Sequence, residues 1–130
     1  MGIKFTTLSE NTASGVGVIG EWGLAILVET DECTVLLDTG GGRSAVHNAD
    51  KMGIDLTKVE KIVLSHGHRD HTGGLKEVLD RTGDVEVIAH PDVWAAKYSI
   101  PPGQEPRKAG IREKKEALER MGVGMVFVKP

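Results

Sequence analysis

The sequence predicts an α/β fold in which helices cover a β-sheet, and three observations carry the prediction. Short apolar runs alternate with stretches whose apolar residues recur at helical spacing, the pattern of strands and the helices that pack on them. The 17 glycines cluster at 15–23, 40–42, 73–74 and 122–124, and each cluster separates apolar segments. A histidine-rich stretch, Ser65-His66-Gly67-His68-Arg69-Asp70-His71, directly follows the apolar run Ile62-Val63-Leu64. The polar stretch therefore sits at the C-terminal end of a strand, where α/β proteins place their sites. A length of 130 residues, 39% of them apolar, suits a single domain over 1–130 with one core.

The elements follow in order. Residues 3–8 alternate apolar and polar, so they read as a strand with Ile3 and Phe5 on one face. Residues 9–15 read as loop, and the glycines up to Gly23 argue against a helix there. The runs at 24–30 and 35–37, separated by Asp31-Glu32, read as a β-hairpin of largely buried strands, with Trp22 just before it capping the core or else lining a pocket. Asp38-Thr39-Gly40-Gly41-Gly42 ends the hairpin. It is not a phosphate loop, because no Lys-Ser/Thr pair follows the glycines. Residues 43–52 carry Ala45, Ala49 and Met52 at helical spacing, and Gly53 stops that helix; His47 reads as a surface residue on it.

Residues 59–65 read as a strand buried on both faces. A helix over 75–79 buries Leu75, Val78 and Leu79, and a strand follows at 85–89. His90-Pro91 then opens a short helix over 92–97, since proline suits a first helical turn. Residues 100–109, with three prolines, read as irregular. A charged helix over 112–121 should bury Ala117, Leu118 and Met121, and the strand 125–128 comes last.

Composition excludes several classes. Sixteen Lys and Arg against 19 Asp and Glu leave a formal charge of -3, with no basic footprint for nucleic acid. Cys33 is the single cysteine, so neither an intrachain disulfide nor a cysteine zinc knuckle forms, and Cys33 is expected at a turn or in the core. Residues 1–5 lack the apolar region of a signal peptide, and no run reaches the roughly 18 apolar residues of a membrane span. A cytoplasmic setting is the expectation.

His66, His68, Asp70 and His71 are the candidate metal ligands. Two residues apart in extended chain, His66 and His68 point the same way and suit one ion. Asp70 and His71, on the turn that follows, suit a second, with Asp70 also placed to orient an attacking water. Such nitrogen and carboxylate donors fit zinc first, and manganese or iron as well. A metal centre of this kind polarises ester, amide or phosphoryl oxygens and activates water. Asp38 is a candidate to hold a ligand histidine from behind, or else to cap the segment after it. His90 is a weaker candidate at the pocket edge.

His66-Gly67-His68-Arg69-Asp70-His71, with Val63-Leu64-Ser65 before it and Thr72-Gly73-Gly74 after it, resembles the His-x-His-x-Asp-His signature of the metallo-β-lactamase-fold hydrolases. Leu36-Leu37-Asp38-Thr39-Gly40 resembles that family's second strand and its closing aspartate. Thr7-Leu8-Ser9-Glu10-Asn11-Thr12, Glu21-Trp22-Gly23-Leu24-Ala25, His47-Asn48-Ala49, Gly53-Ile54-Asp55-Leu56 and Ala89-His90-Pro91 resemble the branch related to a pterin-pathway synthase. Asn11 joins Asp38 and His90 as a pocket-edge candidate on that basis.

The resemblance implies an αββα sandwich, a mixed β-sheet covered by helices, a dinuclear zinc site and hydrolysis of a small ester, lactam or phosphoester. A complete domain of this family adds another histidine, a bridging aspartate and a final histidine from its second half. Residues 91–130 contain no histidine and only one aspartate, Asp92. The chain is therefore expected to be the N-terminal half of such a domain. Its partners would be a small-molecule substrate and either a second copy or a complementary second-half chain, with neither nucleic acid nor membrane. The alternative function is a non-catalytic or incomplete metal-binding or assembly domain.

Overall fold

A computed structural model describes residues 2–129. Six strands make one sheet: β1 (Lys4–Ser9), β2 (Ala25–Glu29), β3 (Thr34–Leu37), β4 (Lys61–Val63), β5 (Glu86–Ala89) and, numbered in chain order, β8 (Gly124–Phe127). They lie in the order β1-β2-β3-β4-β5-β8. The first three are antiparallel and the last four, sharing β3, are parallel, so the sheet is mixed. A separate two-stranded ribbon pairs β6 (Tyr98–Ser99) with β7 (Arg107–Lys108).

The hairpin turn between β2 and β3 closes on Thr30, whose hydroxyl oxygen accepts the N–H groups of Glu32 and Cys33 at 3.2 and 3.0 Å. Cys33 is thus a half-buried turn residue. Each parallel pairing needs a crossover, and helices supply it. They are α1 (Ala45–Lys51), the short α2 (Arg69–Thr72), α3 (Leu75–Leu79) and α4 (Lys115–Arg120).

The register shows why the core lies on one side. Leu27, Leu36, Ile62 and Val87 are neighbours across β2, β3, β4 and β5, and each is at most 2% exposed. They share one cluster with Ala45, Val46 and Ala49 of α1, Leu75, Val78 and Leu79 of α3, and Leu118 of α4. Each such leucine, isoleucine or valine stabilises the fold by about 1.5–3 kcal/mol through burial. Strand side chains alternate, so Ile26, Val28, Val35, Leu37, Val63 and Ile88 point the other way, where they are only half-buried. Phe5 and Val126 flank them on the same face and are 68% and 37% exposed. A mixed sheet with helices packed on one face and an open apolar second face is half of an αββα sandwich.

Several expectations are corrected. The strands of the hairpin and β4 are fully buried on one face only, because no second layer covers the other. Strand β1 starts at Lys4, so Ile3 lies just outside it, and Phe5 points to the open face. Trp22 does not cap the core but stands at a surface hollow: it is 76% exposed, because Gly23, at φ 151°, turns the chain before the first buried residue of β2, Ala25. The segment after β5 forms only a 3-10 turn, Pro91–Trp94, in place of a helix over 92–97. Met121 lies at the end of α4 and is 42% exposed, leaving Leu118 as that helix's anchor. The irregular segment 100–109 includes the paired residues of β7. No helix among the described residues is long and apolar enough to cross a membrane.

Candidate metal centre

After β4 the chain stays extended and then winds into α2. His68 caps that helix from its backbone, its carbonyl accepting the N–H groups of His71 and Thr72 and the Thr72 hydroxyl at 3.0–3.1 Å. Asp70 and His71 therefore stand on a turn, as the sequence predicts, and that turn is helical. The turn is tied to the end of β3: the His71 carbonyl accepts both the N–H and the hydroxyl of Thr39, at 2.8 and 3.0 Å. The two loops approach so closely that a Cβ on Gly74 would run into the Thr39 carbonyl, and one on Gly67 into the Val93 carbonyl. Only glycine permits that approach.

His66, Asp70 and His71 come together, with one donor atom from each lying within 4.8 Å of the others. Among the described residues this is the single group of three or more such side chains. Asp70 Oδ2 lies 3.4 Å from His71 Nε2. The sequence pairs His66 with His68, and Asp70 with His71; in the structure the His66 ring lies beside both His68 and His71, with centroids 4.9 and 4.3 Å away. His68 is exposed, and its ring lies edge-on to that of His66 with centroids 4.9 Å apart.

Asp38 organises this group from below. It is fully buried, and its backbone takes the left-handed conformation at φ 58°. Its Oδ1 accepts the Ser65 N–H at 2.8 Å. Its Oδ2 accepts the Ser65 hydroxyl at 2.6 Å and faces His71 Nδ1 at 2.8 Å. A carboxylate only accepts, so His71 carries its proton on Nδ1. The Ser65 hydroxyl spends its one proton on Asp38 and is 2.8 Å from His66 Nδ1, so it must accept there. His66 is thereby protonated on Nδ1 too. Both imidazoles keep a free lone pair on Nε2, the form a metal requires. Burial, followed by the neighbouring His71 and His68, pushes the His66 pKa down despite Asp38 and Asp70, which favours the neutral ring. The donor set thus fits a divalent cation: two neutral imidazoles and a carboxylate converge, and the lone pairs of His71 Nε2 and Asp70 Oδ2 oppose each other unless a positive charge lies between them.

The other candidates lie further out. His90 stands at the rim of an apolar hollow of about 700 Å³ that His66 also lines, and its Nδ1 accepts the Asp92 N–H at 3.0 Å, capping the 3-10 turn. Asn11 is exposed, and its side-chain oxygen accepts the Gly23 N–H at 3.4 Å. His47 bonds the Gly17 carbonyl at 2.7 Å, away from the cluster.

Glu21 is a positioning residue to which the sequence assigns no role beyond its place in the Glu21–Ala25 stretch of resemblance. Its carboxylate accepts the N–H groups of Gly41, Arg43 and Ser44 at 3.1–3.2 Å and the Ser44 hydroxyl at 2.7 Å. Burial alone would raise its pKa, but these bonds outweigh it and hold the carboxyl below its ordinary value. The signal is absent from local sequence, because Glu21 and the loop it holds are about twenty residues apart.

A mixed half-sandwich with a His/Asp cluster at the C-terminal ends of its parallel strands defines the framework of a metal-dependent hydrolase. The match to known proteins agrees: residues 23–128 fit the Metallo-beta-lactamase superfamily, and the chain belongs to that family. The chain is 30% identical over 129 residues to the 7,8-dihydropterin-6-methyl-4-(beta-D-ribofuranosyl)-aminobenzene-5'-phosphate synthase of Methanocaldococcus jannaschii, covering 92% of this chain and 43% of that one. It is 34% identical over 91 residues to the probable metallo-hydrolase YflN of Bacillus subtilis, covering 65% and 34%. The metallo-beta-lactamase MIM-1 of Novosphingobium pentaromativorans superposes with a TM-score of 0.55 at 26% identity, over 83% of this chain and 39% of that one. The chain therefore spans less than half the length of each of these relatives.

Proposed function

We propose that this chain is the metal-binding part of a metal-dependent hydrolase acting on a small ester, lactam or phosphoester. The observation that carries the reading is the convergence of His66, Asp70 and His71 within 4.8 Å, with Asp38 bonded to the back of His71. In this reading His66, Asp70 and His71 hold a zinc ion, with manganese or iron as substitutes. His68 is the donor left for a second ion if further ligands join the site. A divalent cation held there polarises a substrate oxygen and makes water more acidic.

The chain's own groups do the rest. Asp38 fixes the ring tautomers through His71 and Ser65. Asp70 accepts a proton from water and orients it, which is its catalytic role. The relatives' names support this class, and the pterin phosphate in one of them makes a phosphorylated heterocycle a natural substrate to try.

The open apolar face needs a covering layer, supplied by a second copy of this chain or by a complementary chain carrying the remaining ligands. That the described residues hold only one three-donor group also favours a second reading, a metal-binding or assembly domain that is inactive until so completed.

The test is metal content per chain on protein purified without added metal, on a peak of known mass, together with hydrolysis of p-nitrophenyl acetate and bis-p-nitrophenyl phosphate. Bound zinc and a rate, both lost in His71→Ala, are expected. Bound metal with no rate selects the assembly reading, and no metal overturns both.

A further inference from the structure

Beside α2 lies a second hollow, of about 530 Å³, whose lining differs in kind from the apolar one. Trp22 and Tyr98 stand at it, 76% and 57% exposed, although the chain has only five aromatic residues. Arg69, Arg107 and Lys108 line it too, and none of them is in an ion pair among the described residues. The one carboxylate present, Asp70, is turned toward His71. The ribbon that carries Tyr98, Arg107 and Lys108 is held to the metal centre, because the Arg69 N–H donates to the Ala109 carbonyl at 2.8 Å and Arg69 Nε to the Gly110 carbonyl at 3.3 Å. Three uncompensated cations beside two exposed ring faces are conspicuous in a chain of net charge -3.

We infer that this hollow binds the body of the substrate, a planar heteroaromatic ring bearing a phosphate or similar anion, with Trp22 and Tyr98 stacking on the ring and Arg69, Arg107 and Lys108 holding the anion. The inference rests on the hydrolase reading, since His68 and Asp70 join this hollow to the metal centre. Aromatic side chains offer a stacking surface to any π-faced ligand, and guanidinium groups bind phosphate through paired N–H donors. The volume falls within the roughly 300–1,000 Å³ of small-molecule sites. The absence of an overall basic charge argues for a small ligand rather than a nucleic-acid strand.

The experiment is isothermal titration of the metal-free chain, kept in chelator, with adenosine 5′-monophosphate, adenosine and inorganic phosphate as probes. The monophosphate should bind about tenfold or more tighter than either of the others. Trp22→Ala and the double variant Arg107→Ala/Lys108→Ala should each weaken it about fivefold or more, with circular dichroism and Tm unchanged because these side chains are exposed. Three results would overturn the inference: no binding at millimolar monophosphate, phosphate alone binding as tightly, or variants that bind like the parent. An oligoadenylate strand binding far more tightly than the monophosphate would overturn it in favour of a polymer site. Because no metal is present, a failure here is separate from a failure to find metal at His66, Asp70 and His71.

Discussion

Asp38→Asn separates the two things Asp38 does. The amide has nearly the same shape, and asparagine tolerates the left-handed backbone at φ 58° as well as aspartate does. Its carbonyl oxygen can still accept the Ser65 N–H. At the Oδ2 position, however, an acceptor becomes a donor. It now donates to Ser65 Oγ and to His71 Nδ1, so His71 must carry its proton on Nε2. Ser65 in turn donates to His66 Nδ1, and that ring's proton moves to Nε2 as well. Both lone pairs offered to a metal are lost without removing a ligand.

Hydrogen bonds to a charged group contribute about 1.5–3 kcal/mol and neutral ones about 0.5–1.5, so the exchange should cost roughly 1–3 kcal/mol of stability. Loss of a partner behind a ligand histidine typically costs about 10–100-fold in metal affinity. Asp38→Ala should be worse for folding, by roughly 3–5 kcal/mol, because it removes the charged acceptor of three hydrogen bonds and places a residue without a local hydrogen bond in the left-handed region. Urea unfolding gives the stabilities, and zinc titration against a competing chelator gives the affinities. Zinc affinity of Asp38→Asn within twofold of the parent would refute the tautomer argument, whatever the stability result.

Glu21→Gln should alter the pH dependence of stability. The folded pKa of Glu21 is lowered from 4.5, so its contribution is fully present above about 4.5 and is lost as pH falls through the lower folded value. Urea midpoints from about pH 7 to pH 3 should therefore fall less steeply for the variant than for the parent; parallel curves would contradict the assignment. Gly67→Ala should destabilise by about 1–3 kcal/mol, because its Cβ meets a backbone carbonyl that cannot rotate away; an unchanged Tm would show that the approach is looser than described. Phe5→Glu should lower the solution mass of any self-associated form, measured by light scattering, and leave Tm nearly unchanged, since Phe5 is 68% exposed on the open sheet face.

Much of the fold is legible because its signals are local. Alternation marks β1, runs of branched residues mark the β2–β3 pair, and spacing marks α1 and α3, each within a window of ten residues or so. The glycines that end α1 and precede α3 punctuate the chain where expected. Misreadings fall where a distant layer decides. Trp22 carries the same side chain whether covered or not, and only the path of the chain at Gly23 leaves it exposed. Met121 satisfies the helical spacing of α4, but that helix stops at Arg120.

The candidate donors, too, are named by the sequence, because His66, His68, Asp70 and His71 fall within six consecutive residues. Their spacing in three dimensions is not. An extended chain places His66 beside His68, whereas the helical turn of α2 swings Asp70 and His71 back toward His66. Asp38 reaches the cluster only because β3 and β4 are parallel neighbours, with Leu37 paired to Val63, so that the residues following each strand meet at one end of the sheet. Composition and spacing are properties of a chain read in one dimension and determine which chemistry it carries. Which tautomer a ring holds, which donors face one another and which cations stand unpaired beside them depend on contacts between residues tens of positions apart, and only the tertiary structure sets those.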